Sequence, residues 1–330
     1  FGSDRRFATF YSAGLGVNMH NYRFLVDNRV FSQLRIRGTW GETGKVNYPP
    51  FAARHTYTVQ AGAWHTTGMG ATLTYMGNEN LSWEKTSTLN LGLDLTLFKR
   101  YTLNLSWYDK VTNDLITDVA IVPSSGFTSY KDNMGKVRNR GVEVNLNVNA
   151  IQKQDWGLNV FFRASHNKNR IMEISDALKE YNQKVDDYYS KYPNYNKPLL
   201  KYTEGASLTS IYAVRSLGIS PANGQEVFLD ANGNVTYDWN TTNQVVVGNT
   251  EPKLQGSFGF NFRWKRWTLF TAALFETGGD LYNSTLVDNV ECADIWGSNV
   301  DKRVYTQRWL EPGDVAPLKS IKDRYQVTRP

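Results

Sequence analysis

The stretch that decides the fold is residues 88–97, with the sequence TLNLGLDLTL. Leucine occupies every odd position from 89 to 97, and a small or polar residue occupies every even position. Successive side chains of a β-strand point to opposite faces, so a strand here has one apolar and one polar face. A helix would distribute the same leucines around its circumference. The segment therefore predicts an amphipathic β-strand.

The same alternation recurs along the chain and predicts eight strands. They lie near residues 11–19, 34–40, 88–97, 102–107, 142–149, 156–164, 258–264 and 267–275. The longest run, residues 88–97, has the length that a tilted strand needs to cross a hydrocarbon layer, about ten residues.

The connections alternate between short and long. Turns at residues 98–100, 152–155 and 265–266 are short, and residues 20–32 are only somewhat longer; the long segments are 44–87, 120–136, 170–254 and 278–330. This layout is typical of outer-membrane β-barrels, which have tight periplasmic turns and long extracellular loops. Aromatic residues beside the short turns fit an interfacial girdle: Phe98, Tyr101, Trp156, Trp264 and Trp267.

Composition narrows the class of protein. The chain has 330 residues, with 10 Trp, 19 Tyr and 16 Phe, and a mean hydropathy of −0.49. No apolar run reaches eighteen residues, which excludes a transmembrane helix but not a barrel, whose strands present only alternate residues to lipid. The net charge of +6 is scattered, with no basic run longer than two, so no nucleic-acid surface is expected. A soluble antiparallel sheet would give the same alternation and stays open as an alternative.

Within the longest segment, some local structure is predicted. Ile174, Leu178 and Tyr181 have helical spacing. Residues 210–237 suggest strands and hairpins that turn at Asn223-Gly224 and Asn232-Gly233. An ordered excursion is therefore expected between residues 170 and 254.

Several motifs, in order along the chain, resemble the SusC/RagA-type family of TonB-dependent transporters. They are LRIRGTWGETG at residues 34–44, NLSWEKT at 80–86 followed by Tyr108-Asp109-Lys110, NMGKVRNRGVE at 133–143, GNTEPK at 248–253 and WLEPGD at 309–314. Each motif alone is weak, whereas five in the family's order are specific, and they cover nearly the whole chain.

The resemblance implies an all-β fold: a transmembrane antiparallel β-barrel in the outer membrane of a Gram-negative bacterium, usually of 22 strands, that encloses a plug. It also implies energy from a TonB complex, a SusD-like surface lipoprotein as a lid, and a bulky substrate such as an oligosaccharide or a peptide. A dimer of barrels is compatible with it. Residues 1–330 are then expected to form part of one barrel domain, with the plug and first strands before Phe1 and the last strands after Pro330. Neither a cofactor nor an enzymatic activity is implied.

Two sets of residues are candidate substrate contacts. The first lies on the polar faces of the predicted strands and would line the lumen: Arg35, Arg37, Glu143, Asn145, Asn147 and Arg163. The second consists of loop aromatics that could stack on sugar rings or peptide side chains: Trp64, Tyr188, Tyr189, Tyr192 and Tyr195. Hydrogen bonding within the wall and ordinary loop packing are the alternatives for these two sets.

Other constellations are weaker. Asp230, Asn232, Asn234 and Asp238 have the spacing of a calcium loop, but the sixth position is Val235 rather than glycine, and no glutamate stands at the twelfth, so a hairpin tip is favoured. The histidines lack zinc-ligand spacing, and Cys292 is the single cysteine. Transport is therefore the predicted function. The alternatives are an adhesin barrel that binds without importing and a self-closing barrel of eight strands.

Overall fold

The computed structural model describes residues 8–26, 28–45, 53–66, 68–79, 81–120, 127, 129–133, 135–192 and 198–323. Its strands are β1 Ser12–Asn18, β2 Phe31–Lys45, β3 Thr56–His65, β4 Gly68–Tyr75, β5 Glu84–Leu97, β6 Tyr101–Asn113, β7 Ile116–Ala120, β8 Ser129–Asn133, β9 Gly135–Gln152, β10 Trp156–Ile174, β11 Ser210–Val214, β12 Ser216–Ile219, β13 Glu226–Leu229, β14 Val235–Thr236, β15 Gln244–Asn249, β16 Leu254–Trp264 and β17 Trp267–Thr277. The helices are α1 Asp176–Lys191, α2 Ser284–Leu286 and α3 Arg303–Thr306.

Eight of these strands form one antiparallel sheet in the order β1-β2-β5-β6-β9-β10-β16-β17. They are the eight strands that the alternation predicts, so that prediction is confirmed. In the described part of the chain, β1 and β17 have one neighbour each, and the sheet does not close on itself. The alternative of a self-closing eight-strand barrel is therefore wrong.

The register of the sheet aligns the apolar positions of neighbouring strands. One row of paired residues runs across all eight strands as Val17, Ile36, Leu93, Leu105, Val144, Ala164, Gly256 and Phe275. The next row, on the opposite face, is Asn18, Arg35, Asp94, Asn104, Asn145, Arg163, Ser257 and Leu274. The sheet thus has an apolar face and a largely polar face, as the sequence predicts.

Aromatic side chains mark both ends of the apolar face. At the short-turn end, Trp156 packs against Trp264 with ring centroids 5.8 Å apart, and Trp264 is paired with the exposed Trp267. At the other end, Trp40 and Trp107 lie on the same face. Beyond Trp107, the face carries the charged residue Asp109. Aromatic residues that flank an apolar band are typical of membrane barrels.

The short turns rely on unusual backbone conformations. Phe98 and Lys99 have φ of 52° and 56°, and Lys265 has φ of 51°. Tight hairpin turns favour such left-handed residues, because the resulting twist matches that of the flanking strands. The predicted turns at residues 98–100 and 265–266 are confirmed.

The strands reach further into the predicted loops than the alternation indicates. β9 begins at Gly135 and β10 ends at Ile174, so the ladder between them continues well beyond residues 142 and 164. The predicted loops 44–87 and 120–136 also contain hairpins, β3–β4 and β7–β8. The loop bounds are therefore corrected, because cross-strand hydrogen bonding continues where the hydrophobic alternation has stopped.

The described residues group into two compact units. The first lies within Phe1–Tyr181, Thr203–Gly205 and Pro252–Gly278, and it contains the eight-stranded sheet. The second lies within Asn182–Tyr202, Ala206–Glu251 and Gly279–Pro330. Whether residues 1–330 belong to one barrel domain stays a prediction.

The second unit has a small core of its own, formed by Val290, Ala293, Val304 and Leu318. Beside it, the buried guanidinium of Arg308 donates hydrogen bonds to four backbone carbonyls, those of Val290 (2.7 Å), Glu291 (3.0 Å), Lys319 (3.0 Å) and Val304 (3.2 Å). The described residues of the predicted long segment 278–330 thus include a packed core, which the sequence did not predict.

The excursion between residues 170 and 254 is ordered where it is described. The predicted helix is confirmed as α1, although Ile174 belongs to the end of β10 and the helix begins at Asp176. Both Asn-Gly turns are confirmed, with Gly224 at φ 71° and Gly233 at φ 84° between neighbouring strands. Among the described residues, no helix is long and apolar enough to cross a membrane.

Candidate functional site in the polar face of the sheet

A depression of about 600 Å³ lies in the polar face of the sheet. Strands β2, β6, β9, β10, β16 and β17 contribute to it, because their registers bring polar positions into adjoining rows. The lining residues are Arg37, Asn104, Ser106, Glu143, Val144, Asn145, Arg163, Ala164, Ser165, Gln255, Gly256, Ser257, Leu274, Phe275 and Glu276. Four of the six predicted lumen residues therefore line one depression: Arg37, Glu143, Asn145 and Arg163.

The other two predicted lumen residues lie on the same face but outside the depression. Arg35 is paired with Asp94 in the neighbouring row. Asn147 lies one row further toward the short turns, and its amide nitrogen donates to Asn145 Oδ1 at 3.3 Å. The structure thus places all six on the predicted face.

Arg37 is held in place by its neighbours on the polar face. Its Nη2 donates to Ser106 Oγ at 3.1 Å, and its Nε lies 3.4 Å from Asp94 Oδ2. Asn104 in turn donates to Asp94 Oδ1 at 2.9 Å. Gly92 stands directly opposite Arg37, and a Cβ there would lie 2.5 Å from Arg37 Nε. Glycine at position 92 therefore gives the guanidinium room to cross toward Asp94.

An aromatic stack adjoins the depression on the same face. Phe161 and Phe270 are stacked with centroids 5.9 Å apart, and the Arg163 guanidinium lies 5.3 Å from the centroid of the Phe161 ring. Leu274, 86% exposed, lies beside them at the sheet edge. A Cβ on Gly259 would meet Phe161 Cζ at 2.7 Å, so the glycine makes space for the ring.

The sequence did not predict Phe161, Phe270 or Leu274 as site residues. All three are apolar side chains at positions whose parity assigns them to the polar face. An apolar residue at a strand position that belongs to the polar face was the signal that could have identified them. Leu274 lines the depression together with Arg37, Arg163, Glu143 and Glu276, and the Phe161–Phe270 stack adjoins it, so the site combines both charge signs with apolar surface.

The predicted loop aromatics differ in exposure. Trp64 on β3 is 73% exposed. In the second unit, Tyr188 and Tyr192 on or next to α1 are partly exposed, with ring centroids 4.8 Å apart. Tyr189 is 1% exposed, accepts a hydrogen bond from the Leu199 amide at 2.8 Å and packs against Trp239. The Tyr189 ring is therefore buried within the second unit. Tyr195 lies outside the described residues.

The calcium-like loop is the tip of the β13–β14 hairpin. Asp230 Oδ1 accepts hydrogen bonds from the Asn232 and Asn234 amides, both at 2.8 Å, and Oδ2 accepts from Asn234 Nδ2 at 3.0 Å. The hydrogen bonds from Asn234 are the main cause of a lowered pKa for the Asp230 carboxyl. Asp238 lies past β14, where its amide donates to Thr236 Oγ1. The favoured interpretation as a hairpin tip is thus supported.

The described residues offer little support for metal binding or nucleophilic chemistry. No cluster of three or more His, Cys, Asp or Glu side chains that could hold a metal occurs in the part of the chain that the structure describes. Burial is the main cause that raises the pKa of the Cys292 thiol to about 11. The thiol is therefore protonated near neutral pH and is a poor nucleophile.

The chain is similar to known transport proteins. The model of the TonB dependent receptor-like, beta-barrel family matches residues 1–300. TonB-dependent receptor P3 of Formosa agariphila is 25% identical over 99% of this chain and 36% of its own length. TonB-dependent receptor SusC of Bacteroides thetaiotaomicron is 28% identical over 79% of this chain and 28% of its own length.

Solved structures agree on the fold. The structure of the RagAB peptide transporter superposes with a TM-score of 0.75 at 24% identity, over 97% of this chain and 35% of that one. The chain thus spans about a third of the length of the relatives it matches. The resemblance inferred from the five motifs is confirmed, and the alternative of a soluble sheet is wrong. This chain belongs to the TonB-dependent receptor-like β-barrel family, as part of the wall of an outer-membrane barrel related to SusC and RagA-type transporters.

Proposed function

We propose that this chain forms part of the wall of a TonB-dependent importer, and that its polar face borders the path of a bulky nutrient. The observation that carries the proposal is the depression in that face, where Arg37, Glu143, Asn145 and Arg163 converge. Charged and amide groups on the inner side of a barrel tune selectivity, while the outer side faces lipid. No catalytic role is assigned to any residue of the wall.

Of the two predicted substrate classes, the chemistry of the depression favours a peptide. Two arginines and two carboxylates match the termini and side chains of a peptide, and Asn145 and Gln255 can hydrogen-bond to its backbone. The stacked rings of Phe161 and Phe270 offer an apolar surface for hydrophobic side chains. A neutral oligosaccharide would use the rings and amides but would leave the charges unmatched. The peptide transport named for RagAB supports the same choice.

The partners follow from the same proposal. A TonB complex supplies energy through a part of the protein outside these residues, and a SusD-like surface lipoprotein covers the extracellular mouth. The RagAB structures, described in closed-closed and open-open states, support a barrel that works with a partner and moves between states. A dimer of such barrels is compatible with the proposal.

Substrate contact is tested in the full-length protein by replacing Arg163 with Gln and Glu143 with Gln. A lost charge-assisted contact contributes about 1.5–3 kcal/mol, so peptide affinity should fall roughly 10-fold to 150-fold. Arg266→Gln, in a short turn at the other end of the sheet, is the charge-matched control for Arg163→Gln. Isothermal titration with a defined peptide mixture and with a maltooligosaccharide gives the readout. Unchanged peptide affinity in both variants would contradict the proposed contact.

Transport itself is separated from simple binding by deleting the TonB component of the cell. An importer retains surface binding of labelled peptide but loses uptake into the periplasm. An adhesin barrel would behave identically with and without TonB, and that result would overturn import. Extraction of the outer membrane in mild detergent tests the lid, since a lipoprotein should copurify in a fixed ratio with the barrel.

A further inference from the structure

A cluster of basic side chains lies on the apolar face of the sheet, beyond the aromatic residues at its outer end. Along β9 the face continues from Val142 to Arg140 and Arg138, and along β10 it continues from His166 to Lys168 and Arg170. The ladder between these strands is regular from Asn159 to Ile171, so all four cations stay on the face that carries Val144 and Phe162. These four residues are called the basic cluster here: Arg138, Arg140, Lys168 and Arg170.

The height of the cluster follows from the length of β10. Trp156 marks the end of the apolar band beside the short turn, and eleven residues run from it to His166. A tilted strand of 9–11 residues crosses the hydrocarbon layer. Lys168 and Arg170 therefore lie just outside the hydrocarbon, at the level of the headgroups in the outer leaflet.

The four positive charges of the cluster are only partly balanced by protein groups. Arg140 is directly opposite Lys168, and Arg138 is directly opposite Arg170. Like charges in directly opposed positions of a sheet are destabilising. Across β5, β6, β9 and β10, the two rows that contain these pairs carry one carboxylate, that of Asp109.

Asp109 serves only one side of the cluster. It accepts from Arg138 Nε at 2.8 Å and from Arg140 Nε at 2.9 Å. In the described part of the chain, Lys168 and Arg170 form no ion pair, and both side chains are exposed. Half of the side chain of Arg140 is exposed as well. The surface thus presents donors and positive charge to whatever adjoins it.

We propose that the basic cluster binds the phosphate groups of anionic lipid headgroups in the outer leaflet. A guanidinium matches a phosphate with two parallel hydrogen bonds, and an ammonium adds a compact charge. Basic clusters next to membrane-spanning segments attract anionic lipids. A bound phosphate would relieve the repulsion within both opposed pairs. The inference depends on the placement of the wall in the membrane and is independent of the substrate.

The test uses the full-length protein in nanodiscs of phosphatidylcholine, with and without a diphosphorylated glycolipid. The double variant Arg140→Gln/Lys168→Gln is compared with Arg100→Gln/Arg266→Gln, which removes the same charge at short turns on the opposite side of the membrane. Native mass spectrometry after release from the disc measures the glycolipid retained per barrel. We expect retention by the wild type and the control, and roughly 30-fold weaker retention by the double variant, equivalent to about 2 kcal/mol.

Three results would overturn the proposal. They are equal retention by all proteins, equal loss in the control variant, and equal occupation of the cluster by inorganic phosphate added at the same concentration. A change of oligomeric mass in the double variant without loss of glycolipid would show that a second copy of the chain covers the cluster instead. If the double variant fails to fold, Lys168→Gln alone replaces it, because Lys168 contributes no ion pair and its loss leaves both contacts of Asp109 intact.

Discussion

Replacing Leu105 with Arg tests which face of the sheet meets lipid. Leu105 lies on β6, four positions from Tyr101 at the short turn and four from Asp109, the first charge on the apolar face. It is therefore near the middle of the apolar band, paired with Leu93 on one side and Val144 on the other. An arginine on the lipid face at the midplane costs about 2–4 kcal/mol.

The matched control is Asn104→Arg, which introduces the same side chain one position earlier. Asn104 is on the polar face, 2.9 Å from the Asp94 carboxylate, so a cation there has an acidic neighbour. Urea titration of the full-length protein refolded in lipid vesicles measures the free energy of unfolding. Leu105→Arg should lower the ratio of folded to unfolded protein roughly 30-fold to several hundred-fold, and Asn104→Arg should lower it far less. Equal losses, or a larger loss for Asn104→Arg, would refute the assignment of faces.

Three further predictions concern other parts of the molecule. Arg308→Gln removes most of the donors that satisfy four buried carbonyls, so the second unit should lose roughly 1–3 kcal/mol and become sensitive to limited proteolysis, while the sheet remains resistant. Gly259→Ala places a Cβ 2.1 Å from the Thr271 carbonyl oxygen. The variant should lose about 1–3 kcal/mol of folding free energy, which a lower thermal midpoint of the barrel would show. The pKa of the Asp230 carboxyl is lower in the folded than in the unfolded chain, so its stabilisation of the hairpin is full above about pH 4 and is lost as the pH falls through the folded pKa. Amide exchange of residues 232–234 should report this loss. Asp230→Asn should abolish the pH dependence, and added calcium should have no effect.

Much of the sheet could be predicted because the strands of a membrane barrel alternate between apolar and polar residues. The leucines at positions 89–97 follow a period of two with no exception, and the register confirms that they share a face with Ile36 and Leu105. The turns at Asn223-Gly224 and Asn232-Gly233 were equally readable, since few residues other than glycine adopt a positive φ.

The bounds of the strands could not be predicted from hydrophobicity. Beyond His166, β10 leaves the hydrocarbon, so selection for apolar side chains stops while hydrogen bonding to β9 continues to Ile174. The two hairpins β3–β4 and β7–β8 were also missed, although Met69, Ala71, Leu73 and Tyr75 of β4 do alternate with small or polar residues. Alternation reports the lipid boundary rather than the end of the sheet.

The site could be predicted only in part. Polarity and parity placed Arg37, Glu143, Asn145 and Arg163 on one face, and the structure brings them into one depression. The alternation along a strand does not show which distant strands are neighbours, so it did not predict that β17 lines the depression. The buried contacts of Arg308 could not be predicted, because its carbonyl partners belong to an irregular segment with no periodic signal.

Site-directed spin labelling of residues 102–108 in lipid tests the central claim most directly. Cys292 is the single cysteine of the printed sequence, so a cysteine-free background of these residues requires one substitution, Cys292→Ala. If β6 spans the membrane as part of the wall, labels at 103, 105 and 107 will collide with oxygen dissolved in the bilayer and be shielded from a water-soluble nickel chelate. Labels at 102, 104, 106 and 108 will be less accessible to oxygen and more accessible to the nickel chelate. Uniform accessibility along the strand, or alternation without any contact with lipid, would contradict the account.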